Sequence, residues 1–328
     1  MFVSAPVGKE KASRAVPVDP LSAPPSELMT AVRPLGGTGM SPGVKVALAV
    51  LAGLILLAVF APFVVSATGS PAPDAGDASS LSSGFGTPAG PSPSHWFGVD
   101  GLGRDVFSRT VYGARVSLVV AFGAALLALA VGVALGMVAG FRKGLTDSLV
   151  SRLIETFLVI PYLLLAVGIA SSCSTEGGCL DGNLTPGVPL VILVIAMATW
   201  PLVARVIRNE TLLIRDSDYV VAARLSGLSS IRILATEVLP NLRSTILVFA
   251  ILLIPQAILA EAALTFLGVG VPDSVPSWGG MIADAAALFP DAWWVMAFPG
   301  LALLATVFAC TVIADHLRGR AFDPAVAA

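Results

Sequence analysis

Glu261 lies inside the long apolar stretch RSTILVFAILLIPQAILAEAALTF, with Gln256 five residues before it. An ionised carboxylate in such surroundings is costly unless it is paired or hydrogen-bonded, so a functional role is the default reading. Two roles are open, contact with a transported solute or hydrogen bonding to the outer loop that Pro272, Pro276 and Trp278 shape, and the second is the expected one. Cys173 and Cys179 flank a Gly pair in SSCSTEGGCLDG, where a local disulfide and two free thiols are the alternatives. Cys310 falls in an apolar run and reads as packing. With only His95 and His316 in the chain, no metal-ligand spacing is present. Nucleophile–base pairs and the GxxxxGK[ST] phosphate loop are likewise missing from the sequence. The residues for catalysis, ATP hydrolysis included, are therefore not found in this chain, and no cofactor is expected here.

The second informative stretch is polar: DYVVAARLSGLSSIRILATEVLPN, residues 218–241. Ala222 and Ala223 give a helix face with little bulk that suits close approach to a partner. Gly227 permits a turn with positive φ. Ser229 or Ser230 suits the N-cap of a second helix, in which Ile231, Leu234 and Val238 share a face before Pro240 ends it. A small helix–turn–helix outside the bilayer is predicted; the alternative is an ordinary amphipathic connector.

The elements that position these residues are membrane spans. Of 328 residues, 56% are hydrophobic and only 12% charged, and the mean hydropathy is +0.88, outside the range of soluble domains. Six apolar runs, at 45–66, 116–140, 153–172, 187–206, 244–270 and 292–314, approach the roughly 20 residues that a bilayer core requires, and each must be helical because lipid satisfies no backbone hydrogen bonds. If the N-terminus is cytoplasmic, sixteen of the nineteen Lys and Arg residues fall on inside segments, which favours both termini inside. The exceptions, Arg104, Arg109 and Arg115, share one long outer loop, where Arg109 and Arg115 face lipid headgroups as one option. Residues 1–44 carry seven prolines and no apolar core and read as a disordered tail rather than a signal peptide. A net charge of −2 and the lack of a basic patch with interleaved aromatics give no sign of nucleic acid. Pro161, Pro201 and Pro255 sit within spans and suit kinked, gating helices. Gly132, Gly136 and Gly140, four residues apart, form a close-packing face, read as packing within the subunit.

Taken together, these stretches resemble the permease subunits of bacterial binding-protein-dependent ABC importers of the dipeptide, oligopeptide and nickel family. Ala222-Ala223, Gly227 and Leu239-Pro240 are similar to the "EAA" loop of those permeases. HWFGVDGLGRDVFSRTVYGARVSL at 95–118 resembles their "GTDxLGRDVxSRxxYGARxSL" segment. There Gly98, Gly101 and Gly103 make a turn, Asp105 caps or pairs with Arg104 and Arg109, and an amphipathic interfacial helix is expected to follow. EAALTFLGVGVPDSVPSWGGMI at 261–282 and the ending with Asp315, Leu317, Arg318 and Asp323-Pro324 are similar as well. The likeness covers about residues 45–325; it departs at Val221, where the family has Glu, and at the Cys-bearing segment 173–185.

The resemblance implies an all-α, polytopic fold of six transmembrane helices, like the type I ABC importer permeases. The implied organisation is a cytoplasmic tail (1–44), a first helix (45–66), an extracytoplasmic loop with its interfacial helix (67–115), a permease core (116–314) and a cytoplasmic C-tail (315–328). Tyr219, Ala222, Ala223, Arg224, Gly227, Leu239 and Pro240 are the implied ATPase-coupling residues. Pro161, Pro201, Pro255, Gln256 and Glu261 are candidates for pathway or gating. Implied partners are a second homologous permease, two ATPase subunits carrying ATP and Mg, an extracytoplasmic substrate-binding protein, a peptide substrate and membrane lipid of the bacterial inner membrane. Nickel or glutathione cargo, or a non-ABC channel or scaffold subunit, are the alternatives.

Overall fold

A computed structural model of the chain describes residues 40–77, 81, 87–142, 144–173 and 187–321. The expected tail up to residue 39, Cys179 with most of its loop, and the last seven residues lie outside the described residues, as does the Cys173 side chain. The Cys173–Cys179 pairing therefore lies outside them too.

The first helix, α1 (Pro42–Val59), starts on Ser41, whose side chain accepts from the Val44 N–H with Pro42 at the first turn. It breaks at Phe60 and continues as α2 (Ala61–Ala67). The described residues between 70 and 105 then fold into an irregular cap. Among the described residues β pairing is limited to isolated bridges, two of which, Gly76–Arg104 and Val99–Asp105, pin this cap.

α3 (Val106–Phe141) is 36 residues long. It begins ten residues before the expected span, so the separate interfacial helix predicted after Asp105 is instead the first turns of α3. The reason is burial: Phe107 and Val111 pack against Ala61 and Val65 of α2 instead of lying on lipid.

α4 (Leu145–Val159) and α5 (Tyr162–Cys173) replace the expected third span. They are bent by 92° about the Ile160-Pro161 step. Ile160 is extended, with φ −77° and ψ 125°, as the residue before a proline prefers, and this interrupts the helix rather than merely kinking it. α6 (Val188–Arg215) and α10 (Arg243–Phe266), by contrast, run through Pro201 and Pro255. α12 (Trp293–Ala321) runs through Pro299. Between α6 and α10 lie α7 (Asp218–Leu225), α8 (Ser230–Ile233), a π-helical turn (Leu234–Val238) and α9 (Leu239–Asn241). α11 (Trp278–Ala285) is a short helix before α12. Among the described residues, five helices are long and apolar enough to cross a membrane, and the bent pair brings the number to six if it counts as one span.

The centre of the bundle is the α3–α6 pair. A Cβ on Gly132, Gly136 or Gly140 would lie 2.6 Å from Val203 Cβ, the Ala204 carbonyl oxygen and the Arg208 carbonyl oxygen respectively. The glycine stripe thus lets two helices of the same chain approach to backbone contact along its length. Thr211 and Ile207 of α6 are fully buried against this face.

Candidate functional site

At one end of the bundle the 218–241 segment forms the predicted hairpin. α7 ends in a Schellman turn: the Gly227 N–H donates to the Arg224 carbonyl (3.0 Å) and the Leu228 N–H to the Ala223 carbonyl (3.2 Å). Gly227 has φ +80°, which explains the residue type. Ser229 then caps α8 by accepting from the Arg232 N–H. Val220, Ala223, Ile233 and Val238 are buried in the main core, while Tyr219, Val221, Ala222, Arg224 and Leu239 are exposed.

Ala223 consequently faces its own subunit. Three residues after Val220, it falls on the helix face that seats the hairpin, so the predicted small-residue docking face is reduced to Ala222. The apolar tip is instead Leu225, 85% exposed, and Ile231, 78% exposed. Two arginines hold this end of the bundle to α3, Arg215 as the last residue of α6 and Arg224 within the hairpin. Arg215, buried, donates to the Gly140 carbonyl at 2.9 Å, and the Arg224 guanidinium lies 4.6 Å from the centre of the Phe141 ring. Sequence reasoning had missed Arg215 and Phe141; the signal for Arg215 was a lone cation closing an otherwise apolar helix turn, TLLIR. Nearby, Arg208 of α6 makes a two-pronged ion pair with Asp147 of α4 (2.7 and 3.1 Å).

A half-open groove of about 540 Å³ runs beside the bent pair. It is lined by Phe157 and Pro161 of that pair, Thr199 and Leu202 of α6, and Gln256 and Leu259 of α10. Of the candidate pathway residues the structure brings Pro161 and Gln256 together here; Pro201 and Pro255 are buried within their helices.

Glu261 is not in the groove. It is fully buried, and its carboxylate accepts from the Ser117 hydroxyl (3.2 Å) and the Thr265 hydroxyl (3.1 Å), with Ser277 as a further side-chain partner. Ser117 Oγ also accepts from the Trp278 N–H (3.1 Å), and Thr265 Oγ1 from the Val271 N–H (3.4 Å). Through these hydroxyls the carboxylate braces the segment between α10 and α11. A Cβ on Gly279 would lie 2.5 Å from Ala262 Cα and 3.1 Å from Glu261 Oε1, so only glycine lets α11 pass this close. The Trp278 indole N–H donates to the Thr110 carbonyl at 3.0 Å, closing the brace onto α3.

At the cap, Asp100 and Asp105 divide the work expected of Asp105 alone. Asp105 caps α3 by accepting from the Ser108 N–H (2.8 Å) and meets His95 Nδ1 at 2.9 Å. Asp100 takes the Arg104 side chain (2.7 Å) and lies 3.5 Å from that of Arg109. Arg109 is 2% exposed and thus unavailable to headgroups, whereas Arg115 is exposed. Arg104 also reaches Asp284 of α11 at 3.6 Å. Burial, and secondarily the charge of Asp273, raise the Asp284 pKa above the ordinary carboxylate value, with Arg104 pulling the other way. Among the described residues no cluster of three or more His, Cys, Asp or Glu gathers as metal ligands would.

Among the described residues, a helical bundle with five or six span-length apolar stretches marks a polytopic membrane protein. Residues 132–324 match the family of binding-protein-dependent transport system inner membrane components, and the chain belongs to that family. It is 34% identical over 319 residues to the dipeptide transport system permease protein DppC of Alkalihalophilus pseudofirmus, covering 96% of this chain and 98% of the relative. To the oligopeptide transport system permease protein OppC of Bacillus subtilis it is 36% identical, covering 71% and 73%. The fold is that of the MetNI methionine ABC transporter solved in inward-facing conformations (TM-score 0.53, 17% identity, 66% of this chain and 98% of that one). The chain is a multi-pass permease subunit of an ABC importer and is not itself catalytic; the non-ABC channel or scaffold alternative falls with that membership.

Proposed function

We propose that the chain is one of two related permease subunits of a peptide importer in a bacterial inner membrane. Both termini and the hairpin are cytoplasmic, and the cap faces the outside and an extracytoplasmic binding protein. The hairpin tip, Leu225 and Ile231, carries this reading: two large apolar side chains are held out from a seated turn beyond the span-length helices, where the subunit's own core does not cover them. Such a tip suits insertion into a cleft on an ATPase subunit that binds ATP and Mg.

Closure of the ATPase pair would carry the hairpin as a body, because Arg224 ties it to α3 and Arg215 ties to α3 the end of α6 from which it hangs. α3 in turn is locked to α6 by the glycine stripe, so the movement reaches the groove at α6, α10 and the bent pair. Alternating access follows from that linkage. Peptide cargo is supported by the names of the relatives, and by a mainly apolar groove that offers Gln256, Thr199 and Tyr162 as polar partners. No role for nucleic acid is proposed.

The test is uptake into proteoliposomes holding the assembled complex, its binding protein and ATP. ATP-dependent accumulation of a labelled dipeptide is expected. Accumulation of nickel or glutathione without dipeptide would overturn the cargo, and labelling of a cysteine at position 225 by an impermeant maleimide in intact cells would overturn the orientation.

A further inference from the structure

Near the cap end of α3, Arg115 points out of the bundle and has no ion-pair or hydrogen-bond partner among the described residues. It stands at the mouth of a shallow cavity of about 290 Å³ between α1 and α3. Leu118, Val119 and Phe122 line this cavity on α3, and Ile55, Ala58 and Val59 face them from α1. The order of these residues along the two helices matters. α1 runs towards the cap at its C-terminal end and α3 leaves the cap at its N-terminal end, so Val59 and Arg115 lie nearer the cap while Ile55 and Phe122 lie farther from it. From Arg115 to Phe122 the helix rises about 10 Å, all of it apolar along the cavity. The result is a guanidinium at the cap-side end of an apolar trough that follows α1 and α3.

We propose that this trough is a binding site for one anionic glycerophospholipid of the cap-side leaflet, with the phosphodiester on Arg115 and one acyl chain between α1 and α3. Charge decides the occupant. An exposed guanidinium at the edge of a hydrocarbon-facing surface meets a phosphate with two parallel N–H···O bonds. A helix packed here would have to bring its own counter-ion for that charge, whereas a phosphodiester is one. The neighbouring arginines do not compete: Arg104 and Arg109 are both engaged with Asp100. A lipid here would fill the seam between α1 and α3 just below the break at Phe60 and fix the first helix to the rest of the bundle.

The experiment uses the complete transporter in nanodiscs of phosphatidylcholine with phosphatidylglycerol, part of the latter carrying a photoactivatable diazirine on the acyl chain. Labelling is mapped by mass spectrometry of the digested permease. The wild type should be labelled at Val119 or Phe122. Arg115→Gln should lower that labelling roughly fivefold, the factor that one surface cation contributes to anionic-lipid binding, and Arg115→Lys should fall between the two. Val119→Trp keeps the charge but fills the trough, and should abolish labelling while the complex still elutes as an intact assembly. Equal labelling in wild type and Arg115→Gln, no labelling of the trough in the wild type, or a trough cross-linked to another subunit would each overturn the proposal.

Discussion

Ser117 donates its hydroxyl hydrogen to Glu261 across 3.2 Å and, with the same oxygen, accepts the Trp278 N–H across 3.1 Å. One hydroxyl thus joins the buried acid of α10 to the backbone of α11 from a third helix, α3. The acid acts through this relay as a brace, and its side chain is not among those that line the groove.

The brace makes a graded prediction. Glu261→Gln keeps an acceptor for Ser117 and Thr265, so assembly and most transport should persist. Glu261→Leu leaves both hydroxyls without it, and Ser117→Ala strands the Trp278 N–H; each should cost about 1–3 kcal/mol and lower assembly. Thermal unfolding of the reconstituted complex, with uptake of two different peptides, reads both effects. A loss confined to one peptide, with assembly intact, would put Glu261 in the cargo path.

The α3–α6 contact predicts that Gly136→Val and Gly140→Val fail to pack, because even a Cβ would lie 2.6 Å from a backbone oxygen of α6. A penalty of about 1–3 kcal/mol or more follows from such overpacking. Gly53→Val, where a Cβ would meet nothing within 4 Å, is the matched control and should leave yield unchanged. Equal yields of folded protein from all three would mean that α3 and α6 do not approach this closely.

Much of this was legible because local rules act on it. Apolar length gave the spans, Gly227 gave a positive-φ turn, and the four-residue glycine spacing gave a close-packed face. What failed were judgements that depend on a distant neighbour. α3 starts at Val106 and not near 116 because α2 covers Phe107 and Val111, and nothing between 106 and 116 announces that cover. Ala223 and Ala222 look alike in sequence, yet only the former faces the core. The proline rule was also read too evenly: Pro161 breaks its helix, whereas Pro201 and Pro255 are accommodated inside buried helices. Division of labour between Asp100 and Asp105 needed the cap's turn geometry, which brings Arg104 back onto Asp100.

Asp284 supplies a pH dependence. Its pKa in the fold lies above the ordinary 3.8, chiefly through burial. For a raised carboxyl the folded state binds the proton more tightly than the unfolded chain, so the group's stabilising contribution is present below the unfolded value and is lost as pH rises through the folded one. Asp284→Asn removes that loss. The Tm of the variant minus that of the wild type should therefore increase as pH rises from below 3.8 through the raised value. A difference that falls over the same range would show that the 3.6 Å contact with Arg104 outweighs the burial.

The hairpin predictions separate docking from folding. Gly227→Val meets no neighbour within 4 Å, so its penalty is backbone strain alone at φ +80°, about 1–2 kcal/mol, and it should loosen the turn without disturbing the spans. Leu225→Asp and Ile231→Asp change side chains that already face solvent, and should leave folding intact while removing the apolar tip. Ala223→Arg, on the seated face, should instead reduce the yield of folded protein, because a guanidinium must enter the core beside Val220 and Ile233. The measurement is ATPase stimulation by loaded binding protein in the assembled complex, alongside the amount of permease recovered. Loss of stimulation at normal recovery is expected for Leu225→Asp with Ile231→Asp, and low recovery for Ala223→Arg. Full stimulation in the double aspartate variant would remove the docking role from the hairpin tip, because no other large apolar pair of α7 and α8 is exposed to the same degree.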